Sequence, residues 1–280
     1  MRRRLDWKPN FDERSRGFGV SSVVAEQAVD ITKPTIWEHG TILDQGSEGA
    51  CVGFAWTGAT IAKPMPPLEQ PEFAQGNNFA IQLYKEAQKV DPWPGEDYSG
   101  TSVLAGAKIA KEKGIIDEYR WCFSVEELRD AVINVGPVVI GVNWYKDMYG
   151  TDKNGIVKVS GDHVGGHAIM VTGFIPDHNV NNLATPVFEW VNSWGPGYGK
   201  GGRGYITYKD MERLVKERAE MCVPIKKNTP VLFGVNPEPE EEKTKPIKDV
   251  KTEFKANPSQ IAALFAGIIK IITDIFKGKK

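Results

Sequence analysis

A chain of 280 residues with 41% hydrophobic content holds enough apolar material for one large core, or for two lobes with extensions. Its net charge of −1 gives no ground for nucleic-acid or membrane binding by bulk charge, and 29 glycines with 18 prolines speak for many turns rather than a helical bundle. Three cysteines (Cys51, Cys122, Cys222) exclude a disulfide framework and suit a reducing, cytoplasmic compartment, and no apolar run of the secretory-signal kind follows the basic start Met1–Arg4.

Residues 1–35 are polar and aperiodic. Trp7-Lys8-Pro9-Asn10 followed by Asp12-Glu13-Arg14 predicts an extended arm lying on the body. Residues 36–50 form a loop that runs into a helix from Cys51 to about Ala62, stopped by Pro64 and its neighbours. Apolar residues at helical spacing predict a second helix over Asn77–Val90. Thr101 or Ser102 caps a third, Val103–Lys113, closed by Gly114. Ser124 and Glu127 form a capping-box pattern for a fourth, ending near Asn134 before Gly136-Pro137.

The texture then changes. Strands are predicted over Val138–Val142, His167–Phe174, Val187–Val191 and Gly204–Tyr208, with a short surface helix over Asp210–Ala219 and a last strand over Met221–Ile225. Helices in one block and strands in the next predict an α+β fold of two facing lobes, with a cleft between them as the natural site. After Val235 the text is charged and poor in apolar residues, a linker over 236–258 that cannot pack. An amphipathic helix is predicted over 259–277, apolar from Ile261 to Phe276 with Lys270, Thr273, Asp274 and Lys277 on a narrow polar stripe.

The chemistry centres on Cys51. A thiol at a helix N-terminus lies at the positive end of the helix dipole, which favours the nucleophilic thiolate. Unpaired N–H groups of the first turn can hold an oxyanion, and Gln45, six residues upstream, offers an amide as a second donor. Of the four histidines, His39, His163 and His178 sit in polar loop text, whereas His167 opens an apolar strand after two glycines. A Cys–His pair makes a thiolate–imidazolium nucleophile and acid, and the ring needs a third group to orient it. Asn192, at the end of an apolar strand before Ser193-Trp194-Gly195, is the candidate. Taken singly, each of these residues reads more readily as a packing or turn residue; their order and joint occurrence point to chemistry.

The sequence resembles the papain-like cysteine peptidases. Gln45-Gly46-Ser47-Glu48-Gly49-Ala50-Cys51-Val52 is similar to the family's Gln-Gly-x-Cys-Gly-Ser-Cys-Trp, His167-Ala168-Ile169 to its His-Ala-Val, and Asn192-Ser193-Trp194-Gly195 to its Asn-Ser-Trp-Gly. The resemblance extends over roughly residues 5–225 and includes Gly204-Tyr205 and the strand after Gly136-Pro137. It implies a two-lobe fold, a helical left lobe and an antiparallel β-barrel-like right lobe, in a catalytic domain over 36–235. It also implies peptide-bond hydrolysis without metal or cofactor on protein or peptide substrates. Cys51 would be the nucleophile, His167 the base, Asn192 its orienter and Gln45 an oxyanion donor. Gly100 and Thr101 would pair with substrate backbone, Val138 and Ala168 would line the pocket for the second residue before the cut, and Trp194 would cover the catalytic pair.

Four departures stand out. Glu48 replaces a disulfide cysteine, Val52 replaces a tryptophan, and Tyr198 stands where the family has a tryptophan. The 35 residues before the motif loop are too few for a typical inhibitory domain, yet long enough for an arm to cross the cleft. The C-terminal helix, too short at 16 apolar residues for the ~20 a bilayer needs, suits self-association or an interfacial membrane contact. A catalytically idle scaffold that binds a partner by its cleft or tail is the competing reading.

Overall fold

The computed structural model describes residues 3–24, 29–66, 76–95, 97–180 and 183–226. The linker and the amphipathic helix expected after residue 235 lie outside the described residues. After the arm come a 3-10 helix (Glu13–Phe18) and a single helical turn, α1 (Ser21–Val24). A two-residue strand, β1 (Thr35–Ile36), precedes the main helices.

Three helices make the first half: α2 (Cys51–Ile61), α3 (Asn77–Val90) and α4 (Val103–Glu112). α2 is apolar on every side and buried along nearly its whole length, as a helix must be when it is packed from all directions. Its Trp56 is fully buried and donates its indole N–H to the Val103 carbonyl at the start of α4 (3.0 Å). Ser102 caps α4 through a bond from the Ala105 N–H, so of the two expected caps the serine serves. Ser124 likewise caps α5 (Val125–Asn134), and Glu127 returns a bond to the Phe123 N–H.

The second half is an antiparallel sheet. Along β2 (Glu118–Trp121), β3 (Val138–Tyr145), β4 (His163–Val180), β5 (Leu183–Val191), β6 (Arg203–Thr207) and β7 (Glu220–Ile225), the lateral order is β2-β7-β3-β4-β5-β6, with β1 on β4. The last of the described helices, α6 (Tyr208–Lys216), is capped by Thr207, and the chain reverses through Arg218 at φ 70° into β7.

Three differences from the sequence reading have plain causes. β2 was not expected, because its Glu-Tyr-Arg-Trp text is mostly half-buried and becomes a strand only by pairing with β7. β4 and β5 run past the apolar segments, since their far ends form a half-exposed hairpin held by backbone pairing and by His178 stacked on Tyr205. β7 begins one residue before the expected Met221, at Glu220, a buried carboxylate outside the apolar run.

The core follows the two halves. One cluster gathers α2, α3 and α4 with the near face of the sheet; a larger one fills the far face against α5 and α6. Alternation along β3 divides its side chains between them, Val138, Ile140 and Val142 to the far cluster and Val139 to the near one. Among the described residues no helix is long and apolar enough to cross a membrane, and no group of His, Cys, Asp and Glu side chains is arranged to hold a metal ion.

Candidate active site beneath the N-terminal arm

The loop before α2 is tied to the turn after β5. The Gln45 N–H donates to the Ser193 carbonyl (2.9 Å), and the Gly195 N–H donates to the Leu43 carbonyl (3.0 Å). These bonds bring Gln45, Cys51 and Asn192 together from positions far apart in the chain. Ala50, at the N-cap, provides no side-chain bond to the first turn of α2, so those N–H groups have no side-chain cap.

His167 lies on β4 opposite Val142 of β3 and is fully buried. Its Nε2 is 2.9 Å from Asn192 Oδ1, which also accepts the Ser193 N–H at 2.7 Å. That second bond fixes which end of the amide is oxygen, so Nε2 carries the ring proton and donates it. Nδ1, the acceptor in the neutral ring, is buried and bonded to no other described group. The Cys51 sulfur lies against the backbone amides of Ala168, Asp6 and Val52. The thiol therefore sits beside the residue that follows His167. Two indoles wall the imidazole from water, Trp194 at 4.8 Å between ring centroids and Trp144 edge-on at 4.7 Å. The buried Tyr198 hydroxyl faces Trp190 and Asn192 behind them.

Gln45 is held at both ends. Its Oε1 accepts the Ser193 hydroxyl (2.7 Å), while Nε2 donates to the Glu48 carbonyl (2.7 Å) and reaches the Arg4 carbonyl at 3.4 Å. A main-chain carbonyl of the arm thus lies beside the amide expected to receive an oxyanion. Ser193 is a residue that sequence reasoning passed over; its hydroxyl sets which way this amide points.

Burial dominates the electrostatics. It pushes the Cys51 thiol up to about 11, against the opposing pull of the nearby amides, and the His167 imidazole down to about 4, against the bond from Asn192. Both shifts favour an uncharged thiol and an uncharged ring while the site is covered.

The cover is the arm. Asp6 pairs with Gly166, next but one before Ala168, and Trp7 pairs with Thr101, so residues 6–8 form a strand-like bridge between the helical half and the sheet. The Trp7 N–H donates to the Gly166 carbonyl (2.9 Å) and the Lys8 N–H to the Thr101 carbonyl (3.0 Å). Gly100, at φ +92°, admits this approach: a Cβ there would stand 1.9 Å from the Asp6 carbonyl oxygen. Arg3 pairs with Asp44 and donates to the Trp194 carbonyl (2.9 Å) at one end of the cleft. At the other end the Lys8 ammonium lies 4.1 Å from the Tyr98 ring centroid and 5.0 Å from that of Trp93.

Cys51, His167, Asn192 and Gln45 thus converge, with Trp194 over His167. Thr101 pairs with backbone, here that of the arm, whereas Gly100 donates its N–H to the Tyr84 hydroxyl and meets the arm only by close approach. Ala168 packs in the near cluster with Trp7. Val138 does not: pleating turns it to the far cluster, and Val139 takes the cleft-facing place. Glu220, Gly141 and Gly166, which surround the Trp7 indole, carry no local sign of this role, since the occupant that defines it is more than 130 residues distant.

The helical half against an antiparallel sheet, with a cysteine at the first residue of the central helix and a histidine on the facing strand, is the papain-like α+β fold. Among solved structures the chain is similar to xylellain, a cysteine protease from Xylella fastidiosa, at 17% identity and a TM-score of 0.57, covering 81% of this chain and 98% of that one. Looser matches are digestive procathepsin L 3 of the Tenebrio molitor larval midgut (13% identity, TM-score 0.47, covering 79% and 83%) and the proform of Amb a 11, a ragweed pollen cysteine protease (18%, 0.48, covering 81% and 65%). No curated protein sequence matches the chain. The model of the papain family of cysteine proteases matches residues 79–225, more than half of the chain, and the protein belongs to that family. The matched segment contains His167 and Asn192; the loop with Gln45 and Cys51 precedes it.

Proposed function

We propose that this protein is a cysteine endopeptidase and that the form described here is latent, with its own N-terminal arm in the substrate cleft. Cys51 gives its proton to His167 Nδ1 and attacks the scissile carbonyl. The negative charge that develops on the carbonyl oxygen is met by Gln45 Nε2 and the Cys51 N–H. His167 then protonates the leaving amine, with Asn192 holding the ring throughout. The acyl–thiol bond is hydrolysed by water in the second half of the cycle.

The observation that carries this reading is the arrangement around Asn192 Oδ1. It supports a proton on Nε2 and an Nδ1 that is buried and without a described partner, as a base for the thiol requires. Latency is supported by Asp6 at the sulfur, the Arg4 carbonyl at Gln45 and the uncharged state of the pair.

Labelling with a thiol-directed epoxide, read by mass spectrometry on the intact chain at neutral pH, tests both parts. Cys51 is expected to be labelled slowly in the parent chain and at least tenfold faster in Trp7→Ala, with no label in Cys51→Ala. An unlabelled Cys51 in folded Trp7→Ala protein contradicts the peptidase reading, and equal rates with and without Trp7 contradict latency.

A further inference from the structure

Tyr198 stands where the family resemblance has a tryptophan, and its hydroxyl has no part in the chemistry above. The backbone sets it beside Asn192. Gly202 does this with both of its polar groups: its carbonyl accepts the Asn192 N–H (2.9 Å), and its N–H donates to the Tyr198 carbonyl (2.7 Å). Gly202 has φ +89°, and a Cβ there would stand 2.5 Å from the Ile42 side chain, so the turn requires glycine. The Tyr198 ring is 5% exposed and meets the Trp194 indole edge-on, 5.4 Å between centroids.

A phenol has one proton to give. Here it goes to the Met148 carbonyl at 3.4 Å, so the oxygen that faces Asn192 and Trp190 acts toward them as an acceptor. Burial raises the hydroxyl well above its ordinary range, against the pull of these two side chains, and keeps it a neutral phenol. The donors are at hand. Asn192 Oδ1 is committed to the Ser193 N–H and to His167 Nε2, which turns Nδ2 the other way. Asn192 Nδ2 and Trp190 Nε1 are both buried and bonded to no other described group. A buried N–H without an acceptor is costly, and this hydroxyl is the acceptor they face.

A carboxamide is nearly symmetric in shape, and only its partners tell oxygen from nitrogen. The Ser193 N–H calls for oxygen at one end, and the Tyr198 hydroxyl calls for nitrogen at the other. Both choices put Oδ1 on His167. Among the described residues Asn192 is in turn the only side chain whose bond draws the His167 imidazole up, against the burial that lowers it. A tryptophan at this place has an N–H donor and no acceptor, and would not select the amide in this sense.

From this we infer that Tyr198 is a positioning residue: its hydroxyl accepts from Asn192 Nδ2 and so holds the carboxamide that orients His167. The inference rests on the peptidase reading for its use and deepens it, by adding a layer behind Asn192 that the resemblance does not supply.

The test removes the hydroxyl alone, with Tyr198→Phe in the full chain opened by Trp7→Ala. His167 is followed across pH by nitrogen NMR of histidine-labelled protein, with Cys51→Ala added so that no thiol titrates beside it. A loosened amide favours the imidazolium less, so His167 is expected to titrate about one pH unit lower in Tyr198→Phe, the scale of one hydrogen bond. A packing role alone would lower stability and leave this titration in place, so an unshifted His167 in folded protein overturns the assignment. Should Tyr198→Phe not fold, Tyr198→Trp, which keeps an aromatic side chain but no acceptor, is expected to give the same shift, and an unshifted His167 there overturns it. Epoxide labelling of Cys51 in Trp7→Ala, with and without Tyr198→Phe, separates the two readings. A lowered His167 titration with Cys51 unlabelled supports Tyr198 and contradicts the peptidase; labelling with an unmoved titration does the reverse.

Discussion

Asn192 does two things with one oxygen. It accepts the Ser193 N–H and the His167 Nε2–H, and so selects the ring tautomer whose Nδ1 carries no proton. Gln45 is similarly committed, its oxygen to the Ser193 hydroxyl and its amide to the Glu48 carbonyl. Replacing it with alanine in the opened Trp7→Ala protein is expected to lower kcat by about 10²–10³, with KM little changed, because an oxyanion donor acts in the transition state. Steady-state kinetics on a fluorogenic peptide measures this. The two catalytic-type groups also make stability depend on pH. The folded His167 value lies below its ordinary 6.5, at about 4, so the stability it contributes is whole above pH 6.5 and is lost as pH falls toward 4. Cys51 runs the other way: its value is raised from 9.0 to about 11, and its contribution is whole below pH 9 and lost as pH rises to 11. The closed form is thus most stable between these limits. Between pH 7 and pH 4 the parent chain is expected to lose roughly 3 kcal/mol more than His167→Gln, measured by urea denaturation at each pH.

At the scale of elements, the ends of helices carry much of the site. α2 places Cys51 at its first residue, and α4 places the Val103 N–H on Glu220. Ser102 holds the start of α4 and is itself fully buried. Ser102→Ala is expected to cost about 1 kcal/mol in denaturant unfolding, the usual worth of a cap. It should also weaken the grip on the arm, seen as faster epoxide labelling of Cys51. The helices were legible in the sequence because caps and apolar spacing are local signals: α3 and α5 fall where residues 77–90 and 125–134 predict them. β2 was not, because Glu118–Trp121 has no strand pattern of its own and depends on β7, about a hundred residues later. Val138 was misplaced for a subtler reason. The strand was right, but facing is a parity, and one residue along a pleated chain exchanges cleft for core.

For the molecule as a whole, Gln45, Cys51, His167 and Asn192 could be singled out in the sequence because each lies in a local motif, and the fold puts Asn192 on His167 and ties Gln45 to Ser193. What those motifs do not contain is the course of the arm. Trp7-Lys8-Pro9-Asn10 reads as extended and lying on the body, and it is both, but the pairing of residues 6 and 7 with 166 and 101 leaves no periodic trace. Glu220 was hidden in the same way. A charged residue before an apolar strand reads as solvent-facing, and only the indole that reaches it from the other end of the chain makes its burial intelligible.

In the latent form proposed above, the arm, being part of the same chain, would compete with substrate as a tethered ligand at a local concentration on the order of millimolar. An incoming peptide meets a cleft that is open for only a fraction of the time, and its apparent affinity is reduced by that fraction, however well it fits. Anything that draws the first ten residues elsewhere, such as a binding partner, a surface or a cut in the arm, would raise activity without touching a catalytic group. The enzyme's output would then be set by a binding equilibrium at the N-terminus, and the strength of the Trp7–Glu220 contact would act as its gain.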